Sequence, residues 1–125
     1  MSVLIVDDEY YIRDVLVAFL LDAGYDATSA RNGRDAMDCL RQYPGRFRLI
    51  LLDVMMPYMT GWELLERIRN DTALATLPVI LMTAAENVHQ RALERGATDY
   101  LPKPIDLDEL LDIVENYYVD EEREA

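Results

Sequence analysis

Residues 49–57 read LILLDVMMP, an unbroken apolar run that ends at an aspartate, Asp53. A strand buried on both faces of a parallel sheet has this continuous apolar pattern. Three other apolar runs end in reactive polar groups: VLIVDDE (residues 3–9), VILMTA (residues 79–84) and DYLPKP (residues 99–104). Because ligands bind outside the carboxyl ends of strands in such sheets, these groups should share one crevice. That crevice would hold Asp7, Asp8, Asp53, Thr83 and Lys103. Three carboxylates, a hydroxyl and an ammonium have the chemistry of a Mg²⁺-dependent phosphoryl site.

The rest of the chain alternates strands with amphipathic helices. The hydrophobic periods predict strands at residues 3–6, 25–29, 49–52, 79–82 and 98–101, and helices at residues 9–23, 34–43, 60–70, 86–95 and 106–118. Repeated β–α–β units with right-handed crossovers give an α/β fold, a doubly wound five-stranded parallel sheet. We therefore expect one domain over residues 1–119, followed by an acidic tail at residues 120–125.

Local signals support several helix ends and faces. Thr60 and Glu63 form a capping-box pattern, and Asp106 is placed to cap the last helix. The expected core stripes comprise Ile12, Val15, Leu16, Phe19, Leu20 and Ala23 in the first helix and Leu107, Leu110, Leu111 and Val114 in the last. A second apolar stripe in the first helix comprises Tyr10, Val17 and Leu21. These residues are either exposed apolar side chains of the kind that most protein surfaces carry, or a surface that contacts a kinase helix or a dimer partner.

The amino-acid composition argues against several classes of function for this protein. The formal net charge of −12 disfavours direct binding to nucleic acid, because an acidic surface repels phosphate backbones. No apolar run reaches the roughly 18 residues that a membrane span needs, so no membrane association is expected. Cys39 is the only cysteine, which excludes an intrachain disulfide and favours a cytoplasmic location.

The order of these motifs resembles the receiver domain of two-component response regulators, over residue 3 to about residue 118. The resemblance depends on Asp7-Asp8 after the first strand, Asp53 with Met56-Pro57 and Gly61 after the third, Thr83-Ala84 after the fourth and Lys103-Pro104 after the fifth. It implies strand order 2-1-3-4-5. It also implies that a histidine kinase or histidine phosphotransfer protein donates a phosphoryl group to Asp53.

The resemblance further implies a role for each site residue. Asp8, Asp53 and the Met55 backbone carbonyl would bind Mg²⁺, or Mn²⁺ in its place, and Asp7 would hold a coordinated water. Thr83 and Lys103 would contact the phosphoryl oxygens, and the Lys103–Pro104 peptide bond would be cis. Thr83 and Tyr100 would form the switch that alters the surface of the fourth helix, fifth strand and fifth helix. A weak homodimer is a further expectation. The winged-helix regulators of the family dimerise on that surface through opposed charges, but residues 106–118 contain no Lys or Arg, which argues against that dimer mode here.

Other functions are less well supported by the residues. Most of the polar site residues, taken alone, would be ordinary cap, turn, strand or surface groups. Asp53 is harder to explain in this way, because burying an unpaired charge in an apolar run costs free energy. An aspartate-nucleophile phosphatase would place its nucleophile on the first strand with an acid two residues later, but Asp53 is followed by Val54 and Met55. A flavodoxin-like carrier would need a glycine-rich phosphate loop, and an unphosphorylated interaction module would not need the whole site. We expect a phosphoacceptor signalling domain with an unknown protein target, rather than an enzyme acting on other substrates.

Overall fold

The computed structural model of the chain describes residues 1–118. Within them, strands and helices alternate in the order β1 (Ser2–Val6), α1 (Tyr10–Asp22), β2 (Ala27–Ala30), α2 (Gly33–Gln42), β3 (Phe47–Asp53), α3 (Gly61–Asn70), β4 (Val79–Thr83), α4 (His89–Glu94), β5 (Asp99–Pro102) and α5 (Leu107–Tyr117). The strands form one sheet of order β2-β1-β3-β4-β5, and all neighbouring strands are parallel. The predicted doubly wound fold and its strand order are confirmed. The acidic tail predicted at residues 120–125 lies outside the described residues.

The sheet is central, and helices cover both of its faces. Strands β1 and β4 are buried at every residue, and β3 is buried at every residue except Arg48. Alternate strand residues enter two apolar clusters. One cluster contains core residues of α2, α3 and α4, and the other contains core residues of α1 and α5. The continuous apolar runs therefore reflect burial on both faces, as the sequence predicted.

Two predicted elements begin two or more residues later in the structure, and β3 begins two residues earlier, at Phe47 rather than Leu49. Strand β2 begins at Ala27 rather than residue 25, because the Tyr25 amide completes the end of α1 by donating to the Leu20 carbonyl. Helix α4 begins at His89 rather than residue 86. Asn87 has a φ of 59°, a left-handed conformation that no α-helix continues through, so the residues before it are not helical.

The predicted faces of α1 and α5 also need correction. Val15, Ala23 and Leu107 were expected in the core, but Val15 and Leu107 are each 37% exposed, and Ala23, the C-cap of α1, is also exposed. Val17 was expected on the outer stripe, but it packs against the core cluster that lies under α1. Tyr10 and Leu21 are exposed as expected. Because Val17 packs inward, the proposed stripe of Tyr10, Val17 and Leu21 is interrupted at its centre.

The predicted helix caps are confirmed. The Thr60 side chain accepts a hydrogen bond from the Glu63 amide, and the Glu63 carboxylate accepts one from the Thr60 amide. The Asp106 carboxylate accepts from the amides of Asp108 and Glu109 at the start of α5. Across residues 1–118, no helix is both long and apolar enough to cross a bilayer.

Candidate functional site

Four neighbouring strands deliver polar side chains to one edge of the sheet. Asp7 follows β1, Asp53 is the last residue of β3, Thr83 is the last residue of β4, and Lys103 follows β5. Asp7, Asp53 and Thr83 are buried, which is unusual for polar residues at strand ends. The structure therefore brings together these residues, which are distant in sequence, at the carboxyl edge where the sequence placed them.

Lys103 connects two of the carboxylates. Its Nζ lies 2.8 Å from Asp7 Oδ2 and 3.2 Å from Asp53 Oδ1, and its side chain is only 14% exposed. The Lys103 amide also donates to the Thr83 carbonyl at 2.8 Å, which ties the loop after β5 to the end of β4. The ammonium is thus held in a fixed position beside Asp53. The preceding β5 ends at Pro102, as expected for a residue without a ladder donor, and the Lys103–Pro104 peptide bond is cis.

The site has strongly perturbed electrostatics. Burial, followed by the charge of Asp7, raises the pKa of Asp53 to about 6, and Lys103 opposes this increase. Burial also lowers the pKa of Lys103, but its hydrogen bond to Asp7 and the charge of Asp53 outweigh that effect and raise the pKa overall. The Lys103 amine therefore stays protonated, while the Asp53 carboxyl group loses its proton only near pH 6. Such shifts are common at functional sites.

The three aspartates form a group suited to a hard cation. Asp7, Asp8 and Asp53 each offer a carboxylate oxygen, and these oxygens lie within 4.8 Å of one another. Asp8 is exposed, whereas the other two are buried, so the cluster opens to solvent on one side. Oxygen-only donors with room for several waters fit Mg²⁺, which keeps part of its hydration shell. The donor set is therefore compatible with the cation that the sequence predicted.

Backbone contacts hold the acidic loops in place. Asp7 Oδ1 accepts a hydrogen bond from the Glu9 amide, and its carbonyl accepts one from Arg13 Nη1 at 2.7 Å. Asp53 Oδ1 accepts a longer hydrogen bond of 3.4 Å from the Met55 amide. Arg13 was not among the predicted site residues. Its position in the first turn of α1, which follows the acidic pair directly, is the signal that could have identified it.

Gly61 permits the loop after Asp53 to fold closely against the strand. A Cβ at this position would lie 2.4 Å from the Asp53 carbonyl oxygen and 2.7 Å from the Val54 Cα. These are backbone atoms, so a side chain could be accommodated only by moving the chain that carries Asp53. The sequence included Gly61 in the motif, but only the structure gives this steric reason.

Tyr100 lies at the opposite side of β4 from Asp53 and contacts α4. Its ring stacks on the His89 ring at a centroid distance of 5.3 Å. Asp99, next to it, is 3.9 Å from His89 Nε2 and accepts a hydrogen bond from the Tyr117 hydroxyl at 2.9 Å. These contacts join α4, β5 and α5 into one surface.

Thr83 accepts a hydrogen bond from the Ala85 amide at 3.1 Å.

An apolar groove of about 460 Å³ adjoins the site between α1 and the loop after β5. Its walls include Tyr11, Val15, Pro104 and Leu107, next to Lys103. Tyr11 is 75% exposed, so much of this apolar surface faces solvent. The groove could not be predicted from the sequence, because its two walls come from opposite ends of the chain.

Comparison with known proteins defines the class of this chain. A family model described as the response regulator receiver domain matches residues 3–115. The chain belongs to the response regulator receiver domain family, a class of signalling domains in two-component systems. This family assignment confirms the resemblance found in the sequence.

Individual proteins agree with the assignment. The transcriptional regulatory protein CrdR of Helicobacter pylori is 38% identical over 122 residues, which cover 96% of this chain but 56% of CrdR. The chain thus spans about half of that relative. The chemotaxis response regulator CheY4 of Vibrio cholerae superposes with a TM-score of 0.85 at 33% identity, covering 93% of this chain and 97% of CheY4. The receiver domain of Saccharomyces cerevisiae Ssk1, in its co-crystal structure with the histidine phosphotransfer signalling protein Ypd1, gives a TM-score of 0.84 at 26% identity and covers 94% of this chain and 88% of the matched chain.

Proposed function

We propose that this chain accepts a phosphoryl group on Asp53 from the phosphohistidine of a histidine kinase or phosphotransfer protein. Family membership and the similarity to the Ssk1 receiver, which forms a complex with a histidine phosphotransfer protein, support this class of donor. The chain would act as a phosphorelay switch and would catalyse only its own phosphorylation and dephosphorylation. A cytoplasmic location stays a prediction from the sequence.

One observation carries the proposal: Asp53 is buried, paired with a fixed ammonium, and close to two further carboxylates. Burying carboxylates next to one another costs free energy even beside an ammonium, so this arrangement would be a liability without a function. An Asp53 carboxylate oxygen would attack phosphorus as the P–N bond to the donor imidazole breaks, and the imidazole would retain that bonding pair. The exposed side of the cluster, at Asp8, leaves access for the donor.

The acidic cluster would hold Mg²⁺, or Mn²⁺ in its place. Asp8, Asp53 and the Met55 carbonyl would be direct ligands, and Asp7 would hold a coordinated water. When bound, the cation supplies positive charge that offsets the three carboxylates and the incoming phosphoryl oxygens. Asp7 has a second task in the chain itself, because its contact with Lys103 keeps the ammonium aimed at the site.

Lys103 and Thr83 would receive the phosphoryl oxygens. Lys103 Nζ already lies within 3.2 Å of the Asp53 oxygen, so it would contact a phosphoryl group attached there with little rearrangement. Its position is fixed before the reaction, and preorganised charge of this kind is the most effective way to stabilise charge in a transition state. The Thr83 hydroxyl ends the neighbouring strand β4 and would donate to another phosphoryl oxygen.

Tyr100 would transmit the change to the α4–β5–α5 surface. If Thr83 moves toward the phosphoryl group, space opens behind it for the Tyr100 ring. That movement would break the stacking of Tyr100 on His89 and so alter the surface of α4. We expect a downstream protein, rather than nucleic acid, to bind this surface, because the chain is strongly acidic.

The phosphohistidine partner would dock at the apolar groove beside Lys103. The groove offers Tyr11, Val15 and Leu107 to an apolar helix face, and it lies next to the site where the donor imidazole must arrive. Exposed apolar surface of this kind commonly marks a protein interface. This groove replaces the interrupted stripe of Tyr10, Val17 and Leu21 as the docking surface on α1.

The direct test is to incubate the protein with acetyl phosphate and Mg²⁺ and to weigh the intact chain. We expect the mass of one phosphoryl group to be added, the addition to require the cation, and Asp53→Asn to abolish it. A phosphorylated histidine phosphotransfer domain should label the same residue. Labelling of Asp53→Asn at the wild-type level would refute the assignment of the acceptor, and turnover of a generic phosphate ester would favour a phosphatase instead.

A further inference from the structure

A cleft between α2 and the loop before α3 concentrates positive charge on an otherwise acidic protein. Its volume is about 830 Å³, and four of the chain's twelve basic residues line it: Arg31, Arg34, Arg41 and Arg67. Two acids, Asp35 and Asp38, share the lining. Four positive and two negative groups leave a charge of +2 around the cleft, whereas the whole chain carries −12. The cleft is therefore a local region of positive charge that attracts carboxylates and other anions.

Most of these arginines are not engaged within the domain. Arg31 pairs with Asp35 at 2.8 Å on the exposed surface. Within the described residues, Arg34, Arg41 and Arg67 are exposed and make no hydrogen bond or ion pair. A guanidinium is a planar, permanently charged donor that suits a carboxylate. These side chains are free to bind a group from another molecule.

Tyr58, on the rim of the cleft, supplies an independent sign of an interface. Its side chain is 98% exposed, and its φ of 70° is left-handed, which disfavours any residue with a Cβ. A bulky residue in this conformation is an outlier that points toward function. Tyrosine and arginine are also the residue types enriched in the energetically important parts of protein interfaces.

The same chain carries a matching acidic surface on α5. Asp108, Glu109, Asp112 and Glu115 are all exposed, and α5 contains no Lys or Arg. Helix α5 packs on one face of the sheet with α1, whereas α2 and α3 pack on the other face. The acidic helix therefore cannot reach the cleft of its own domain, but it is available to the cleft of a second copy.

The charges on the two helices also have compatible spacing. Arg34 and Arg41 are two helical turns apart on α2, and Asp108 and Glu115 are two turns apart on α5. At about 1.5 Å per residue, each pair spans about 10 Å along its helix axis. Two helices lying side by side could therefore align both pairs of opposite charges.

We infer that the acidic helix α5 of one copy docks in the arginine-lined cleft of another copy. The contact joins two different surfaces, so it is heterologous and continues from copy to copy unless the assembly closes into a ring. It differs from a symmetric dimer, in which the same surface of each copy meets. The contact needs neither phosphorylation nor a bound cation, so it stands apart from the proposed phosphoacceptor function.

Salt should affect this association in two opposing ways. The copies repel each other through their net charge, and about 0.15 M salt screens much of that repulsion, since the Debye length is then about 8 Å. Higher salt, near 1 M, also weakens the exposed ion pairs between the cleft and α5. Association should therefore be strongest at intermediate ionic strength.

Sedimentation of the whole chain without any phosphoryl donor tests the inference. We expect the weight-average mass to rise above the monomer value of 14.4 kDa with concentration, from micromolar to millimolar, without levelling off at two copies. The paired reversal Arg34→Glu plus Arg41→Glu should weaken association by about tenfold or more, since it removes attractions and adds repulsions. The reversal Asp108→Arg plus Glu115→Arg on α5, at the two acids with the matching spacing, should weaken it similarly.

Combining the two reversals in one chain should restore association, because both aligned pairs of positions then carry opposite charges again. Arg46→Glu plus Arg91→Glu is the matched control, since it changes the net charge equally at exposed positions that do not line the cleft. Circular dichroism checks that each variant is folded.

Three results would overturn the inference. The wild-type chain could stay monomeric over the whole concentration range at every salt concentration. The mass could instead level off at two copies and be insensitive to the cleft reversal, which would indicate a symmetric dimer through another surface. Tripolyphosphate could bind the cleft of a chain that never associates, which would make the cleft a site for a small anion.

Discussion

Helices α3 and α4 pack on the same face of the sheet, but they are held very differently. Helix α3 begins with a complete capping box and buries Gly61, Leu64, Leu65 and Ile68. Helix α4 has only six residues, buries only Ala92, and has no side-chain cap. The first helix anchors the loop that carries Asp53, and the second bears the His89 ring against the proposed switch residue Tyr100.

The difference suggests how one small domain can be both rigid and responsive. The acceptor needs a fixed geometry, and α3 provides it through burial and capping. A surface that responds must change at small cost, and elements that move are drawn from the less stable parts of a fold. Trp62 of α3 lies under the guanidinium groups of Arg91 and Arg95 at 4.9 and 5.2 Å, so it adjoins both regions.

The largest effect is expected where α3 meets the acceptor strand. Gly61→Ala would place a Cβ against the Asp53 carbonyl and should lower the free energy of unfolding by about 2–4 kcal/mol. Gly24→Ala is the control, because its Cβ would meet nothing within 4 Å and would only strain a φ of 96°. That control should cost about 1 kcal/mol. Equal losses in urea unfolding of the two variants would contradict the steric argument.

A second prediction concerns the charge of Asp53 itself. The pKa of Asp53 in the folded protein is about 6, above the ordinary value of 3.8. The contribution of this carboxyl group to the free energy of unfolding is therefore most favourable to the folded state below pH 3.8. That contribution is lost as the pH rises through about 6. In the absence of divalent cations, Asp53→Asn should therefore increase the free energy of unfolding near pH 7 by about 2 kcal/mol.

Urea titrations of wild type and Asp53→Asn at a series of pH values measure this difference. It should shrink toward zero as the pH falls from about 6 to 3.8, because the wild-type carboxyl group then becomes neutral. Added Mg²⁺ should stabilise wild type more than the variant. A difference independent of pH would show that the charge of Asp53 is not the cause.

The capping difference between the helices gives a smaller effect. Thr60→Ala removes the capping box of α3 and should reduce stability by about 1 kcal/mol. Thr60→Ser keeps the hydroxyl and should restore most of it. In α4, Gln90→Ala removes only an exposed hydrogen bond of 3.1 Å to Glu94, and its cost should be below about 0.5 kcal/mol. A larger loss for the α4 variant would reverse the comparison.

The smallest effect concerns the switch. His89→Ala removes the ring that stacks on Tyr100 and should favour the activated form by about 0.5–1 kcal/mol. Trp62 is the only tryptophan, so its fluorescence reports rearrangement of α4 against α3. The emission change should occur at lower beryllofluoride concentration in His89→Ala than in wild type. Gln90→Ala serves as the control on α4, and identical titrations for all three proteins would remove His89 from the switch.

Much of the fold could be predicted because burial on two faces leaves a clear pattern. The apolar runs at β1, β3 and β4 identified the central strands, and Thr60 and Asp106 identified helix starts. Predictions failed where a few backbone angles decided the outcome. Asn87 in a left-handed conformation delayed α4, and the Tyr25 contact with the end of α1 delayed β2.

The candidate site likewise contains residues that could be predicted from the sequence and features that could not. Asp7, Asp53 and Lys103 stood out because charged residues rarely end buried strands. The apolar groove at Tyr11 and the arginine-lined cleft at Arg34 gave no such signal. Each is assembled from segments that are far apart in sequence, and exposed residues follow no period that distinguishes a cleft from an ordinary surface.

The sequence alone determined the alternation of strands and helices, the acidic and cationic groups at the strand ends, and hence the family. Only the tertiary structure decided that Lys103 bridges Asp7 and Asp53, that Gly61 lies against the Asp53 backbone, and that Tyr100 stacks on His89. The physical reason is one of range. Hydrophobic periods act between neighbours along the chain, whereas distances between charges, pKa shifts and close packing arise only when separate strands are placed side by side.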